Sequence, residues 1–430
     1  MPGRDAVARS GVPVMELGAI ACTEEQRELR LHKLIDLALH YRGWTKHQLA
    51  DALNRHVTKL YPGGNPKLDF VVGLAQVLDW PIETVIDFIW FDDSSLSSAA
   101  EGATFEQLDE AAMAAFRNAD YRGMLGLAQR AFSAARTPEQ RALACQRQAG
   151  AWDLLGQSHK SLEMLRRGLQ QVPISDGLRL MLESNLAYEL LVQGEITEAR
   201  GIAQLVLDWF NDHPPQGRRD TGTQGFAYYV RGRISLRMLQ FPLEDPRSHA
   251  DAAYADLARA REIFNALHGE FGDEQTFSIA NTCAGGLLEA EAARGGVAPD
   301  EAVARILAKL DETDDLPVGD LLESFGWWCI FGANIAFRHL TGDEQQRAIA
   351  VFTNKGLEIA NRLNNWVIRE RVLNMEYRVY QAFKEQAGEE ADFVIDEEDL
   401  RLITGAVGQF PLFRRLGWQI IRTAKVVDSG

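Results

Sequence analysis

A helix-to-helix turn recurs along the first half of this chain at a near-constant interval. Ala119-Asp120-Tyr121, Gly156-Gln157-Ser158 and Gly194-Glu195-Ile196 begin 37 and 38 residues apart, each between two stretches whose apolar residues share one helical face. A hairpin repeated at such a period cannot bury its apolar face alone, so neighbours must stack into a continuous array. With 430 residues the chain is too long for a single core. The expected fold is therefore all-α, built around a solenoid.

The repeat residues sharpen this. Ala149, Trp152, Gly156, Ser161, Leu165, Gly168 and Pro173 alternate small and large residues, and Ala187, Leu190, Gly194, Ala199 and Ala203 continue the theme. Small residues let the helices of a hairpin approach closely, and large ones fill the groove of the next hairpin. In this spacing residues 104–211 resemble tetratricopeptide repeats, with a period slightly longer than that family's 34 residues. Beyond residue 211 the pattern loosens. Loop insertions at His213–Gly217 and Phe241–Pro246 interrupt helix-like runs at Phe226–Leu239, His249–Leu267, Glu274–Arg294 and Asp300–Leu310. Further runs are Gly319–Leu340, Glu344–Leu363 and Trp366–Gln386, and Gly342-Asp343-Glu344 with Ala348 resembles another repeat turn. Residues 212–430 therefore read as degenerate helical repeats ending in a capping segment at Leu400–Lys425. The stretch Glu385–Asp399, with eight acids and no base, reads as an exposed loop.

Residues 22–90 carry a different pattern. Thr23-Glu24-Glu25-Gln26 and Thr45-Lys46-His47-Gln48 are capping boxes, and Trp44 and Leu49 sit at the positions of a hydrophobic staple. Leu31, Leu34, Ile35, Ala38 and Leu39 share a helical face, as do Leu68, Val71, Leu74, Ala75 and Leu78 after Pro66. Pro81 opens a last helix over Ile82, Val85, Ile86 and Ile89. The order Thr45-x-x-Gln48-Leu49-Ala50-x-x-Leu53, then Asn65-Pro66-x-Leu68 and Leu74-Ala75-x-x-Leu78, resembles the five-helix domain of phage-repressor-type helix-turn-helix regulators. The resemblance implies a small DNA-binding-type domain in which Thr45 caps the second helix and Leu49-Ala50 packs it on the core. That family places a turn, a recognition helix and a Gly-rich loop before the Asn-Pro. Here Asn54–Gly64 is about four residues shorter. Leu49, Leu53, Val57 and Leu60 would also suit one unbroken helix, so the recognition helix is shortened, displaced or fused with its predecessor.

Charge distribution adds to the resemblance. The chain carries a formal net charge of −16, which excludes a protein coating nucleic acid over its whole surface. Between Arg42 and Lys67, however, five bases (Arg42, Lys46, Arg55, Lys59, Lys67) face one acid, Asp51. Phosphate contacts need such cations. Candidate DNA contacts are Arg42, Thr45, Lys46, His47, Arg55, His56, Thr58, Lys59 and Lys67. His32, His40, His47 and His56 lack the spacing of metal ligands and read as surface or phosphate-facing groups.

In the array, Trp152, Tyr188, Arg231, Arg233, Arg237, Trp327 and Trp328 are candidates for a ligand or partner groove, against the plainer reading of core aromatics and a solvated arginine face. Cys283-Ala284-Gly285-Gly286 falls in a helical run, where glycines serve close packing. The four cysteines lie far apart in sequence and read as buried thiols. No nucleotide-binding, nucleophile-elbow or calcium-loop motif occurs, so neither catalysis nor a cofactor is expected. Residues 1–21 lack an apolar core and read as a flexible leader, and no segment suits a membrane span, so a cytoplasmic protein is expected. The acidic, Ser-rich stretch within 91–103 reads as a linker. The expectation is a DNA-binding transcriptional regulator whose solenoid senses a peptide or protein, or dimerises. The alternative is an interaction scaffold that no longer reads DNA.

Overall fold

The computed structural model describes residues 23–80, 82–90, 103–118, 120–241, 245–387 and 393–427. The chain divides into two compact units, Met1–Gly102 and Ala103–Gly430. The described residues are almost wholly helical, in agreement with the all-α expectation. No helix among them is long and apolar enough to cross a membrane. The leader, Pro81, Cys22 and the linker over 91–102 lie outside the described residues.

In the first unit, α1 (Glu24–Arg42), α2 (Lys46–Ala52), α3 (Leu68–Leu78) and α4 (Ile82–Trp90) surround one apolar core. Both capping boxes form, with Thr23 and Thr45 each accepting the N–H three residues on. Most of the faces read from the sequence point inward: Leu31, Leu34, Ile35, Ala38, Leu49, Leu74, Val85 and Ile89 are at most 1% exposed, whereas Leu68 and Ile82, at the first positions of α3 and α4, are exposed. Where five helices were expected, the described residues hold four, and the third position is a single 3₁₀ turn, Val57–Lys59. The cause is local. Asn54 adopts the left-handed conformation, φ 50°. The Asn54 N–H donates to the Asp51 carbonyl and the Arg55 N–H to the Ala50 carbonyl. These two bonds are the Schellman stop of a helix, so α2 ends there and does not fuse with the 3₁₀ turn. Leu60 then drops into the core, fully buried. Gly64 crosses the start of α1 so closely that a Cβ there would meet the Glu24 carbonyl.

The second unit is a stack of hairpins: α5 (Phe105–Arg117) with α6 (Tyr121–Ala134), α7 (Pro138–Leu154) with α8 (Ser158–Leu169), and α9 (Asp176–Gln193) with α10 (Ile196–Asp212). After these come α11 (Gly217–Met238) with α12 (Pro246–Phe271), α13 (Glu274–Arg294) with α14 (Pro299–Leu310), and α15 (Asp320–His339) with α16 (Gly342–Leu363). Then α17 (Trp366–Ala387) leads to α18 (Glu397–Gln409) and α19 (Pro411–Thr423). Each odd-numbered helix from α5 to α17 touches the next odd-numbered one as well as its chain neighbours. This is the pattern of a solenoid with an inner row of helices. The repeat turns fall between helices as the sequence implies, and Gly194 closes α9 in the left-handed conformation. The acidic stretch is not wholly a loop. Its first residues end α17, and its last form the strand β1 (Val394–Asp396) and the first turn of α18. Asp396 caps α18, and Glu397, Glu398 and Asp399 occupy its first turn, where the helix dipole favours anions. β1 pairs in parallel with β2 (Lys425–Val427).

Glycines in the inner helices sit at crossing points. A Cβ on Gly332 of α15 would lie 2.5 Å from the ring of Phe352 on α16, which is itself fully buried. By contrast, a Cβ on Gly201 of α10 would meet nothing within 4 Å. Gly332→Val is expected to cost about 2 kcal/mol through overpacking. Gly201→Ala is expected to add about 0.5–1 kcal/mol through helix propensity. Thermal unfolding of the two variants, read by circular dichroism, checks the pair: opposite shifts in Tm are expected.

Candidate functional site

In the first unit the candidate DNA contacts separate into two groups. Arg42 braces the domain, donating through Nε to the Val77 carbonyl at 2.7 Å and pairing with Asp79 at 2.9 Å. Thr45 is occupied as a cap, and His56 and Thr58 bond each other across the 3₁₀ turn at 2.8 Å. The Arg55 guanidinium lies over the Phe70 ring at 4.5 Å and within 3.7 Å of Asp69, leaving its side chain 19% exposed. The remaining four, Lys46, His47, Lys59 and Lys67, are exposed. Lys46 Nζ stands 4.8 Å from the Tyr61 ring, which places it beside the short segment carrying Lys59.

The groove candidates of the second unit also divide. The three arginines do not form a solvated face. Arg231 ties α11 to α12 through a two-pronged pair with Asp256, at 2.8 and 2.6 Å. Arg233 is clamped between Tyr229 and Trp327, with its guanidinium 3.8 Å from the Trp327 ring. Arg237 bonds Gln240 and is buried deeply enough, among Arg371 and other cations, to be pushed down to about 9. Trp328 is structural: Nε1 donates to the Asn281 carbonyl at 2.8 Å, and the ring fills the space above Gly285. Trp152 packs beneath Lys160. Tyr188 and Trp327, however, line a large cavity.

That cavity has a volume of about 780 Å³ and is walled mainly by α7, α9, α11, α13 and α15. Its aromatic lining includes Tyr188 and Phe226, with ring centroids 5.6 Å apart, together with Tyr229 and Trp327. Besides Asp273, which is paired with Arg218, four carboxyl side chains line it: Asp153 from α7, Glu189 from α9, and Asp320 and Glu323 from α15. None of the four has an ion-pair partner among the described residues, whereas the lining cations Arg147 and Arg218 are already paired with Asp109 and Asp273. Glu189 is 3% exposed; its Oε1 accepts from Ser161 Oγ at 2.6 Å, and its Oε2 has no donor. Its neighbouring carboxyl, Asp153, can supply one only when protonated. Sequence reasoning does not single out these acids. A signal is nonetheless present: Glu189 lies between Leu186-Ala187 and Leu190-Leu191, on a face that otherwise holds core residues.

Removal from water dominates the electrostatics. Burial pushes Asp153 up to about 6 and Glu323 up to about 7, the latter helped by the charges of Asp153 and Asp320. Glu189 is raised well above the ordinary carboxylate range by burial and by Asp153. A carboxyl whose folded pKa exceeds its unfolded one binds more protons when folded, so stability falls as pH rises. The loss starts above the ordinary values of 3.8 and 4.5 and is complete above about 7. Thermal scans of the empty protein should therefore show Tm climbing as the pH falls from about 8 to 5, with stability gained on the order of 2 kcal/mol per carboxyl. In Asp153→Asn/Glu323→Gln that climb should shrink, the remainder coming from other buried carboxyls such as Glu189 and Glu376; an unchanged profile would place these groups in water.

No family model matches the chain, and no curated protein matches it. Among solved structures, Bacillus thuringiensis PlcR in complex with the peptide PapR7 and DNA aligns with a TM-score of 0.34 at 15% identity. The alignment covers 68% of this chain and 100% of that one. At that score the likeness adds no argument about function, which rests on this chain's own residues.

Proposed function

We propose that this chain is a regulator whose solenoid holds a peptide or protein segment in its inner cavity and whose small N-terminal unit contacts nucleic acid. The cavity carries this reading. Its volume of about 780 Å³ lies within the range of ligand pockets, and aromatic walls with a few convergent polar groups are the usual composition of a binding site. Its role is read as binding rather than turnover, with no cofactor.

The nucleic-acid half rests on Lys46, His47, Lys59 and Lys67, four exposed groups on a basic segment of an acidic chain. Because a 3₁₀ turn stands where a recognition helix would lie, and Arg55 is engaged with Phe70 and Asp69, the contacts expected are to phosphates rather than to base edges. A homodimer would follow if the target is two-fold. A scaffold that binds only proteins is the second reading, favoured by the single 3₁₀ turn at Val57–Lys59 in place of a recognition helix.

Fluorescence anisotropy of the intact protein with fragments of its own upstream region, against scrambled DNA over a salt series, tests the proposal. Binding should weaken steeply with salt, and Lys46→Glu/Lys59→Glu should weaken it at least tenfold while reducing the log–log salt slope by about two. Absence of binding by the unaltered protein at low salt would sink the regulator and leave the scaffold.

A further inference from the structure

The solenoid cavity presents an imbalance beside its aromatic rings: five carboxyl side chains line it against three arginines, each of which has a carboxylate of its own within 4 Å. Arg147 is paired with Asp109, Arg218 with Asp273, and Arg219 lies 3.9 Å from Asp220. Arg233, the nearest unmatched cation, stands behind Tyr229 and Trp327 and does not line the space. Asp153, Glu189, Asp320 and Glu323 thus face the lumen without a counter-charge. Glu189 adds a further detail: it is one of the lining residues, it is almost fully buried, and its Oε2 has no hydrogen-bond partner. An orphaned buried carboxylate oxygen costs on the order of 1–3 kcal/mol, more when ionised, unless a donor arrives.

The missing donor has a definable chemistry. An anion would meet like charge. A neutral amide would satisfy Oε2 but leave the other carboxyls uncompensated. Among the described residues no three such side chains come close enough together to hold a metal ion. An organic cation satisfies all the constraints: its N–H groups donate to carboxylates in charge-assisted bonds, and its methylene stem lies against rings. Tyr188 and Phe226 offer such rings, both part-exposed to the lumen.

We infer that the cavity is a receptor for an ammonium or guanidinium group on an extended carrier, held by Asp153, Glu189 and Glu323 and flanked by Tyr188 and Phe226. The inference rests on the proposed role of the cavity as the ligand site, and it specifies the ligand's charge. A basic peptide and a polyamine share this chemistry. Entry of the cation favours the ionised carboxyls, so binding expels protons and strengthens as pH rises. The groups facing the ligand in that titration are Asp153 on α7, Tyr188 and Glu189 on α9, and Asp320 and Glu323 on α15. Arg147 on α7, Arg218, Arg219 and Tyr229 on α11, and Asp273 at the start of α13 are the other charged or titratable groups lining the space.

Isothermal titration calorimetry of the full chain tests this with three probes: spermidine, an end-blocked Ala-Arg-Ala peptide, and the same peptide with citrulline in place of arginine. One or both cationic probes should bind, with affinity rising about tenfold between pH 5.5 and pH 8 and with heats that depend on the buffer's ionisation enthalpy. Spermidine binding alone would identify a polyamine carrier, and binding of the arginine peptide alone a peptide. Glu189→Gln should weaken binding at least tenfold while leaving the thermal midpoint equal or higher, which separates lost recognition from lost folding. Equal affinity for the citrulline peptide, or indifference to Glu189→Gln, would overturn the cationic assignment while leaving the cavity as a ligand site. Silence from all three probes would overturn the assignment as well. The nucleic-acid half of the proposed function is decided separately, by lysines in the other unit.

Discussion

Close approach of helix backbones governs the geometry of the larger unit. Leu257 on α12 is fully buried and wedged between two glycines, Gly232 on α11 and Gly286 on α13. A Cβ at either glycine would come within 2.8–2.9 Å of it. Gly225 stands in the same relation to Ile263. These helices therefore meet at a separation that only a hydrogen side chain allows, and dispersion across the contact is correspondingly dense. A solenoid accumulates curvature from such per-repeat rotations. The curl brings α15 round to face the early hairpins, so that Glu323 acts electrostatically on Tyr188 and Asp153, residues far earlier in the chain. The cavity is a consequence of that curl, and the four acids share a lumen only because of it.

This dependence explains what the sequence shows and what it hides. Capping boxes at Thr23 and Thr45, the glycine closing α9, and the packing glycines Gly285 and Gly286 all act within a few residues of themselves, and all are legible. The helical runs beyond residue 211 are legible for the same reason, since an apolar face repeats at a fixed period. The cavity is not. Asp153, Glu189 and Glu323 belong to three helices, and their meeting depends on the sum of crossing angles along five hairpins. Their local trace is only an acid within an apolar run. The arginines at 231, 233 and 237 mislead for a related reason: polarity suggests solvent, whereas Asp256, Trp327 and Gln240 supply internal partners from other segments. The terminal acids read as loop because eight carboxylates suggest solvation, although three of them in the first turn of α18 are placed where the helix dipole wants them.

Charge is segregated within the unit in a way that costs stability. Tyr188 and Trp327 line both the large cavity, with its acids, and a smaller cleft that contains Arg233, Arg237 and Arg371. That cleft also holds Glu289, paired with Arg338, and its Arg371 is paired with Glu370. Among the described residues no ion pair crosses the aromatic wall from Arg233 to the carboxyls of the large cavity. The rings occupy Arg233 from one side, and the acids stay unmet on the other. Proteins commonly hold such local disfavour at sites that must receive something, and recover the loss elsewhere in the fold. The densely packed hairpins around Leu257 and the fully apolar cluster of α15 with α16 supply that reserve.

In the smaller unit one residue decides the outcome. Leu49, Leu53, Val57 and Leu60 are spaced as a continuous helix would need, and periodicity alone would run α2 through to Tyr61. Asn54 in the left-handed conformation prevents it, because asparagine tolerates that region better than any β-branched or bulky residue. Once the chain has turned, Arg55 is carried over Phe70 and withdrawn from the surface, Leu60 fills the core, and Gly64 can pass beneath Glu24. Each of these steps presupposes the one before. A four-residue deficit in the loop thus exchanges a helix presenting side chains for a turn anchored by its own contacts. Lysines remain at the surface while the side chains able to read bases are spent on holding the loop. In the proposed nucleic-acid role, such a surface would meet a phosphate backbone rather than base edges.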